Sequence, residues 1–375
     1  MKCPRCGSED LFPIGNRYYC RHCISFNRVF SDDVIEKRVI QTSNVHVTYH
    51  MGFSLSPAQQ KISDRLIENY EKKKDTLIMA VCGSGKTEMS FGVISHVLNT
   101  GGRVCFTIPR RALCIELYER FKECFRGVEI GLIYGGHIEH LDAPFIICTA
   151  HQLYRFVNTP FDLLLMDEAD AFPFYGDDVL EAMFHQCVGG CFVKMSATLT
   201  SCDIHDEDIL IMNRRYHGHD LPVPHIRLLP KPFWFVYLRA LIKQMLTKKQ
   251  KVLVYVPRKE DLAYYAKHLK HFKVAGVSSH TPEINNYVDA LSNGEIEVLI
   301  TTTILERGVT IDNAQAIVME ASHLIFDERT LMQIAGRVGR KIGHEEGSVI
   351  FVDRYISKEE IACVKTTKKL NAMNV

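Results

Sequence analysis

Two short runs of this sequence carry residue types that bind and hydrolyse a nucleoside triphosphate. The first is AVCGSGKT at residues 80–87, where glycines let backbone N–H groups turn toward phosphate oxygens at the start of a helix. In this run Lys86 would reach the β- and γ-phosphates, and the Thr87 hydroxyl would bind Mg²⁺. The other residues predicted to contact the nucleotide are Gly83, Ser84 and Gly85. We call residues 80–87 the phosphate loop.

The second run is LLLMDEAD at residues 163–170. An apolar run that ends in two carboxylates is typical of a buried strand that delivers them to the carboxyl edge of a parallel sheet. Asp167 would hold Mg²⁺, and Glu168 would orient and activate the attacking water. An acidic pair after a strand is more often a helix cap or a solvated turn. Its position about 80 residues after Lys86 favours the hydrolytic interpretation.

Hydrolysis also needs positive charge at the γ-phosphate, and QIAGRVGR at residues 333–340 is the candidate source. Arg337 and Arg340 are three residues apart, so we expect them on one face of a helix, where they point together. Gln333 precedes them and is assigned to the same catalytic set. The alternative is a surface helix that carries two solvated arginines.

The elements that must position these residues alternate between short apolar runs and amphipathic stretches. Such alternation predicts an α/β fold with mostly parallel sheets. The predicted strands are 76–81, 103–108, 145–148, 163–166, 191–195, 251–256, 274–277, 297–301, 316–320 and 348–352. The predicted organisation is a cysteine module (1–30), a linker (31–54), a first α/β domain (55–205), a Pro-rich connector (206–232) and a second α/β domain (233–375).

Four cysteines form two C-x-x-C pairs near the start of the chain: Cys3, Cys6, Cys20 and Cys23. This spacing predicts a Zn²⁺ site with four thiolate ligands, and the metal would supply the folding energy that so short a module lacks. Two redox pairs or an iron–sulfur cluster are the alternatives. The basic and aromatic side chains of the module, such as Arg5, Phe26 and Arg28, suit either single-stranded nucleic acid or a protein partner.

Composition limits the remaining possibilities. The chain has 375 residues, 46% of them hydrophobic and 24% charged, with a net charge of +1, which is ordinary for a globular protein of two or three domains. The sequence lacks an uncharged apolar stretch long enough to span a bilayer, and its start lacks an apolar signal region, so we expect a cytoplasmic protein. With so little net charge, nucleic acid would bind in a local groove.

Weaker signals follow one another in a fixed order. They are SPAQ at 56–59, PRR at 109–111, TAH at 149–151, SAT at 196–198 and TTTILERGVT at 301–310. With the runs above, this series resembles the motifs of superfamily two helicases and translocases from about residue 55 to 340. It is most similar to the ComFA family of late competence ATPases, on the strings at 80–89, 167–173, 216–217 and 221–224.

The resemblance implies two tandem RecA-like domains with ATP between them, preceded by a zinc ribbon. The implied activity is a single-stranded-DNA-stimulated ATPase that drives transforming DNA into the cytoplasm, working at the inner face of the membrane. The implied partners are the ComEC channel, ComFC and DprA. By motif match, Gln59 would read adenine, Arg307 would support the nucleotide cleft, Arg110, Thr149 and Thr302 would contact DNA, and Ser196 and Thr198 would couple ATP state to DNA grip.

Two departures from the wider superfamily stand out. Thr310 occupies a position where many related helicases have Asp, and Ile334 follows the motif Gln where many have Arg. Both favour the ComFA-like interpretation over a generic unwinding enzyme. Two rivals remain: a duplex-unwinding helicase of replication restart or repair, and a zinc-containing DNA-binding scaffold with a non-hydrolytic nucleotide switch. Intact Lys86 and Glu168 argue against the second.

Overall fold

The computed structural model describes residues 1–35, 40, 46–81, 83–197, 207–303, 311–340 and 343–373. Thr198 and Arg307, which the motif series assigns to coupling and to the nucleotide cleft, lie outside these residues. The chain divides into two compact units. The first contains Met1–Ala80 and Gly85–Met212, and the second contains Val81–Ser84 and Asn213–Val375.

The N-terminal module of the first unit is a small antiparallel hairpin of β1 (Leu11–Ile14) and β2 (Arg17–Cys20). Gly15 lies in the turn between them with φ +59°, a left-handed conformation that glycine adopts without steric cost. A 3₁₀ turn, Ile24–Phe26, follows. The hairpin brings the two C-x-x-C pairs to the same end of the module.

The rest of the first unit is built on a parallel sheet. Its elements are β3 (Thr48–Tyr49), α1 (Pro57–Glu71), β4 (Thr76–Ala80), α2 (Lys86–Met89), α3 (Phe91–Asn99), β5 (Val104–Ile108), α4 (Arg111–Cys124), β6 (Phe125–Arg126), β7 (Ile130–Tyr134), β8 (His137–Glu139), β9 (Phe145–Thr149), β10 (Phe161–Met166), α5 (Asp178–Gln186), β11 (Val188–Ser196) and β12 (Asp208–Met212). The strand order is β12-β4-β11-β10-β5-β9-β7-β8, and within the described residues only β8 runs antiparallel to its neighbour. A separate short ladder pairs β3 with β6.

The second unit repeats this architecture. Its elements are β13 (His225–Leu228), α6 (Trp234–Thr247), β14 (Lys251–Tyr255), α7 (Lys259–His268), β15 (Val274–Val277), α8 (Ile284–Asn293), β16 (Val298–Thr301), β17 (Ala314–Met319), α9 (Glu328–Ala335), β18 (Val349–Asp353) and α10 (Lys358–Ala372). The strand order is β13-β18-β17-β14-β16-β15, with every described pairing parallel.

The central strands explain why the sequence folds in this way. Every residue of β5, β9 and β17 is buried, because helices cover both faces of a parallel sheet and leave its inner strands no polar side. Such strands appear in the sequence as short continuous apolar runs. The predicted fold class, two parallel α/β domains preceded by a four-cysteine module, is confirmed.

The structure differs from the predicted loop-like connector at 206–232. This stretch contributes β12, which pairs with β4 in the first sheet, and β13, which pairs with β18 in the second. Both lie at the edge of their sheet, where proline is tolerated, and Pro222 and Pro224 precede β13 rather than interrupt it. Among the described residues, we find no helix whose length and apolarity would let it cross a membrane.

Candidate functional site

The phosphate loop leaves the carboxyl end of β4, and α2 begins at Lys86. Gly83 and Gly85 adopt φ values of +81° and +79°, in the left-handed region that favours glycine. At Gly85 the space is also closed, because a Cβ there would lie 2.5 Å from the Gln59 amide nitrogen. The loop therefore has the glycine-dependent bend that turns backbone N–H groups toward a bound anion.

Gln59 joins the start of α1 to this loop. Ser56 is the N-cap of α1, its hydroxyl accepts from the Gln59 N–H at 3.3 Å, and the Gln59 side-chain oxygen accepts from the Ser56 N–H at 2.8 Å. This reciprocal pair holds the buried Gln59 side chain with its amide nitrogen facing Gly85. Its reading of adenine stays a prediction.

Lys86 and Asp167 come together from the ends of different strands. The Lys86 ammonium lies 4.0 Å from the Asp167 carboxylate, and both side chains are largely buried. The Asp167 N–H donates to the Thr107 carbonyl at 2.9 Å, which ties the end of β10 to β5. Burial raises the pKa of Asp167, and the charge of Lys86 opposes that rise. With the buried hydroxyl of Thr87, the site offers the oxygen ligands that Mg²⁺ prefers.

Glu168 lies at a sharp change in chain direction immediately after Asp167. Its φ of +54° is left-handed, which is uncommon for residues other than glycine. Its N–H donates to the Asp167 carboxylate at 2.8 Å, and the next residue, Ala169, donates to the Met195 carbonyl at 3.0 Å. These bonds fix residues 167–169, which we call the acidic turn, against β11, near the buried Ser196 that ends this strand.

The residues predicted to contact DNA in the first unit also share a sheet edge. Thr149 is the buried last residue of β9, and it pairs in register with Ile108 at the end of β5. Arg110 follows two residues later as the half-buried N-cap of α4. Thr302 lies buried just after β16 in the second unit. Their contacts with nucleic acid stay predictions.

The predicted helical placement of Arg337 and Arg340 is wrong. Helix α9 ends at Ala335, so both arginines lie in residues 336–340, which we call the arginine turn. Within this turn Gly339 has a left-handed φ of +70°, and only glycine fits there, because a Cβ would collide with the Glu345 carbonyl. Arg337 is buried, and the Arg340 guanidinium Nε donates to the Gly336 carbonyl at 2.8 Å. Gln333 is buried within α9.

Sequence reasoning missed the residues that lie against the arginine turn. These are Arg215, Tyr216 and His217, which bond to its backbone carbonyls. Tyr216 and His217 belong to a string that resembles the ComFA family, but no motif includes Arg215. The available signal was a pair of adjacent arginines, Arg214 and Arg215, just after an apolar stretch.

The four N-terminal cysteines form a compact cluster. The Sγ atoms of Cys3 and Cys23 lie 3.6 Å apart, as do those of Cys6 and Cys20, and all four lie within 4.8 Å of one another. Sulfurs bound tetrahedrally to zinc at about 2.3 Å lie about 3.8 Å apart, so the cluster fits this metal.

Part of the basic and aromatic surface proposed for the module instead packs against its own unit. The Phe26 ring lies 5.6 Å from that of Tyr154 and 5.9 Å from that of His151, centroid to centroid. The Arg5 guanidinium lies over Tyr154 and donates to the Phe26 and Asn27 carbonyls, each at 2.7 Å. Tyr154 and His151 belong to the 3₁₀ turn Ala150–Arg155, which follows Thr149 directly.

Two family models match the chain. Residues 52–201 match the res subunit of type III restriction enzymes, and residues 236–342 match the helicase conserved C-terminal domain. The first match contains the phosphate loop and the acidic turn, and the second contains the arginine turn.

Known proteins match over nearly the whole chain. A protein of Streptococcus pneumoniae named Competence protein ComFA is 34% identical, over 98% of this chain and 90% of its own length. One of the same name from Bacillus subtilis is 32% identical, over 99% and 86%. Among solved structures, the DEAD-box helicase Mss116 bound to ssRNA and UDP-BeF matches with a TM-score of 0.61 at 15% identity, over 85% of this chain and 78% of its own.

Proposed function

The chain belongs to the ComFA family of competence proteins, and from this membership we propose that it is a motor that hydrolyses ATP to move single-stranded DNA into the cell. It is an ATP-hydrolysing, helicase-like enzyme with two RecA-like domains. The proposal concerns the nucleic acid that stimulates hydrolysis and the movement that hydrolysis drives.

One observation supports the hydrolytic part of the proposal: the Lys86 ammonium lies 4.0 Å from the Asp167 carboxylate, at the edge of the sheet where the phosphate loop begins. Lys86 would bind the β- and γ-phosphates, and Thr87 with Asp167 would hold Mg²⁺. The metal, when bound, neutralises charge on the phosphates. Glu168, fixed by its left-handed turn, would orient the attacking water and accept its proton.

The proposed role of Arg337 and Arg340 is to neutralise the charge that develops on the γ-phosphate as its bond breaks. A guanidinium suits this role because it stays charged and donates several hydrogen bonds in a fixed plane. Two features support it: Arg337 is buried, and the Arg340 Nε is oriented by the Gly336 carbonyl. A solvated surface arginine would not be buried as Arg337 is.

We propose that Arg110 and Thr149 in the first unit and Thr302 in the second grip the sugar-phosphate backbone. Contacts to phosphate and sugar carry no sequence information, so binding should tolerate any sequence and weaken with salt. The register of Thr149 with Ile108 supports the pairing of the first two residues on one sheet edge. Ser196 and Thr198 keep their proposed role in coupling the nucleotide state to these contacts with DNA, and Arg307 keeps its proposed role in supporting the nucleotide cleft.

We propose that the four-cysteine cluster holds Zn²⁺, which is supported by sulfur spacings close to those of a tetrahedral site. Cys20→Ser should lose the metal and unfold the module, measured as zinc content by mass spectrometry and as new protease cleavage before residue 35. Cys124→Ser, which changes a half-buried cysteine outside the cluster, is the matched control. Full zinc content in Cys20→Ser would contradict the assignment.

Family membership also supports partners and a place of action. We propose that the protein works at the inner face of the cell membrane with the ComEC channel, and that ComFC and DprA are further partners. These proposals rest on kinship with the two competence proteins and can be tested by co-purification with each partner.

The test of the proposed function is the ATPase rate with mixed-sequence single-stranded DNA, duplex DNA and RNA at low salt, with a strand-displacement assay in parallel. We expect stimulation by single-stranded DNA that falls as salt rises, without a need for strand displacement. A rate that single-stranded DNA leaves unchanged would overturn the proposal. Displacement of duplex would favour the unwinding helicase.

A further inference from the structure

Arg215 is a buried cation to which the proposed hydrolysis assigns no step. Arg215 is only 1% exposed, whereas the side chain of its neighbour Arg214 is 44% exposed. The Arg215 Nη1 donates to the Val338 carbonyl at 2.5 Å and to the Gly339 carbonyl, and Nη2 donates to the Gly336 carbonyl at 3.2 Å. One guanidinium therefore binds three carbonyls of the arginine turn.

The two residues after Arg215 bind the same turn. The Tyr216 hydroxyl donates to the Arg340 carbonyl at 3.1 Å. The His217 Nδ1 accepts from the His219 N–H at 3.2 Å, so its Nε2 carries the proton that is donated to the Gly339 carbonyl at 3.1 Å. Burial lowers the pKa of His217, in agreement with this neutral ring.

The need for such contacts follows from how α9 ends. The last carbonyls of a helix lack intrahelical partners and carry partial negative charge, so a cation placed there is favourable. The turn beyond Ala335 adds further carbonyls. Because Gly339 is left-handed, the chain does not continue as a helix that would supply N–H partners for them. The Gly336 carbonyl accepts from both Arg215 and Arg340, so the two guanidinium groups are linked through one shared acceptor.

From these contacts we propose that the segment of residues 215–217 is a positioning clamp: Arg215, with Tyr216 and His217, holds the arginine turn in the one conformation in which Arg337 and Arg340 can serve hydrolysis. The inference rests on the proposed role of the arginine turn. Arg215 is a positioning residue because it acts through the backbone of the turn. Lysine cannot replace it, since one ammonium cannot reach three carbonyls in a plane.

The test compares Arg215→Ala, Arg215→Lys and Tyr216→Phe with the matched control Arg214→Ala. In the full chain we expect Arg215→Ala to lower kcat about 10²-fold with little change in the KM for ATP, because a misplaced catalytic group costs rate rather than ground-state binding. Arg215→Lys should retain at most about a tenth of kcat. Tyr216→Phe, at an exposed ring, should lower it a few-fold.

Chemical rescue separates positioning from general stability. Guanidinium chloride at millimolar concentration should restore part of kcat in Arg215→Ala, and sodium chloride or methylammonium at the same ionic strength should not. Arg214→Ala should match the wild-type protein. Wild-type kcat in a folded Arg215→Ala would overturn the clamp. So would a kcat that falls without guanidinium rescue while the KM for ATP rises by the same factor. If Arg215→Ala does not fold, Arg215→Lys decides, and wild-type kcat there overturns it.

Arg340→Ala, measured alongside, keeps the two proposals apart. If Arg340→Ala hydrolyses ATP at the wild-type rate, the proposed role of the arginine turn has failed. If Arg340→Ala is inactive while every Arg215 variant keeps wild-type kcat, only the clamp has failed.

Discussion

The acidic turn and the arginine turn carry the two halves of the proposed chemistry, and they are held in place in different ways. Asp167 and Glu168 follow a buried strand, and bonds to the neighbouring strands β5 and β11 fix the backbone beside them. Arg337 and Arg340 lie beyond the end of a helix, where the ladder of backbone hydrogen bonds has stopped. Their turn is held by side chains from a segment 123 residues away.

This difference teaches where each site is sensitive. A sheet edge distributes the task of placing a residue over several strands, so one substitution nearby should do little to the geometry. The arginine turn depends on the three side chains of residues 215–217 and on one left-handed glycine, so the same task falls on a few residues. The three predictions that follow test this contrast.

The largest effect is expected when the lysine that pairs with the acidic turn is removed. Lys86→Ala should lower ATP hydrolysis by about 10³-fold or more, because it removes the charge that binds the phosphates and pairs with Asp167. Binding of single-stranded DNA, measured by fluorescence anisotropy, should stay. Lys72→Ala, whose side chain is 63% exposed at the end of α1, is the control. Normal turnover in Lys86→Ala would remove the nucleotide site from the phosphate loop.

An intermediate effect is expected at the glycine of the arginine turn. Gly339→Ala places a Cβ at φ +70° and against the Glu345 carbonyl, so the turn must shift. We expect kcat to fall about 10-fold to 10²-fold while the KM for ATP stays similar. Gly343→Ala is a close control, because Gly343 has φ +91° and open space around its Cα. Equal kcat values for the two variants would show that the turn tolerates displacement.

The smallest effect is expected from a single contact that supports the first sheet. Asp208 begins β12 and binds Asn69, Arg65 and Lys74, and the hydrogen bond from Asn69 contributes most to lowering its pKa to about 2. Its pKa is lower in the folded than in the unfolded chain, so the stabilisation is present above about pH 4 and is lost as the pH falls toward 2.

Asp208→Asn should therefore reduce the free energy of unfolding by roughly 1 kcal/mol at pH 7, since solvent screens the partly exposed cations. Urea unfolding at pH 7 and pH 3 should show the difference from the wild-type protein shrinking at the lower pH, with kcat unchanged at pH 7. A difference that grows with acidity would contradict the sign. Asp220→Asn, in an exposed pair with Arg214, is the control.

The same contrast explains what sequence could predict. Lys86 at the start of α2 and Asp167 just after β10 lie where the sequence predicted them, because buried strands appear as local apolar runs. The cysteine cluster was predictable because its ligand spacing is also local. The edge strands β12 and β13 were missed, since partly exposed edge strands lack a continuous apolar pattern. The adjacent Arg214 and Arg215 could mark this segment, but the role of Arg215 could not be predicted, because its partners are backbone carbonyls that only the tertiary fold brings near.

The central claim, that the arginine turn serves the hydrolysis of ATP bound at the phosphate loop, is tested most directly by Arg340→Ala. Steady-state hydrolysis and nucleotide affinity should be measured on the same preparation, with single-stranded DNA present. We expect hydrolysis to fall by about 10³-fold or more, with ATP affinity within a few-fold of the wild-type value. Hydrolysis at the wild-type rate would contradict it.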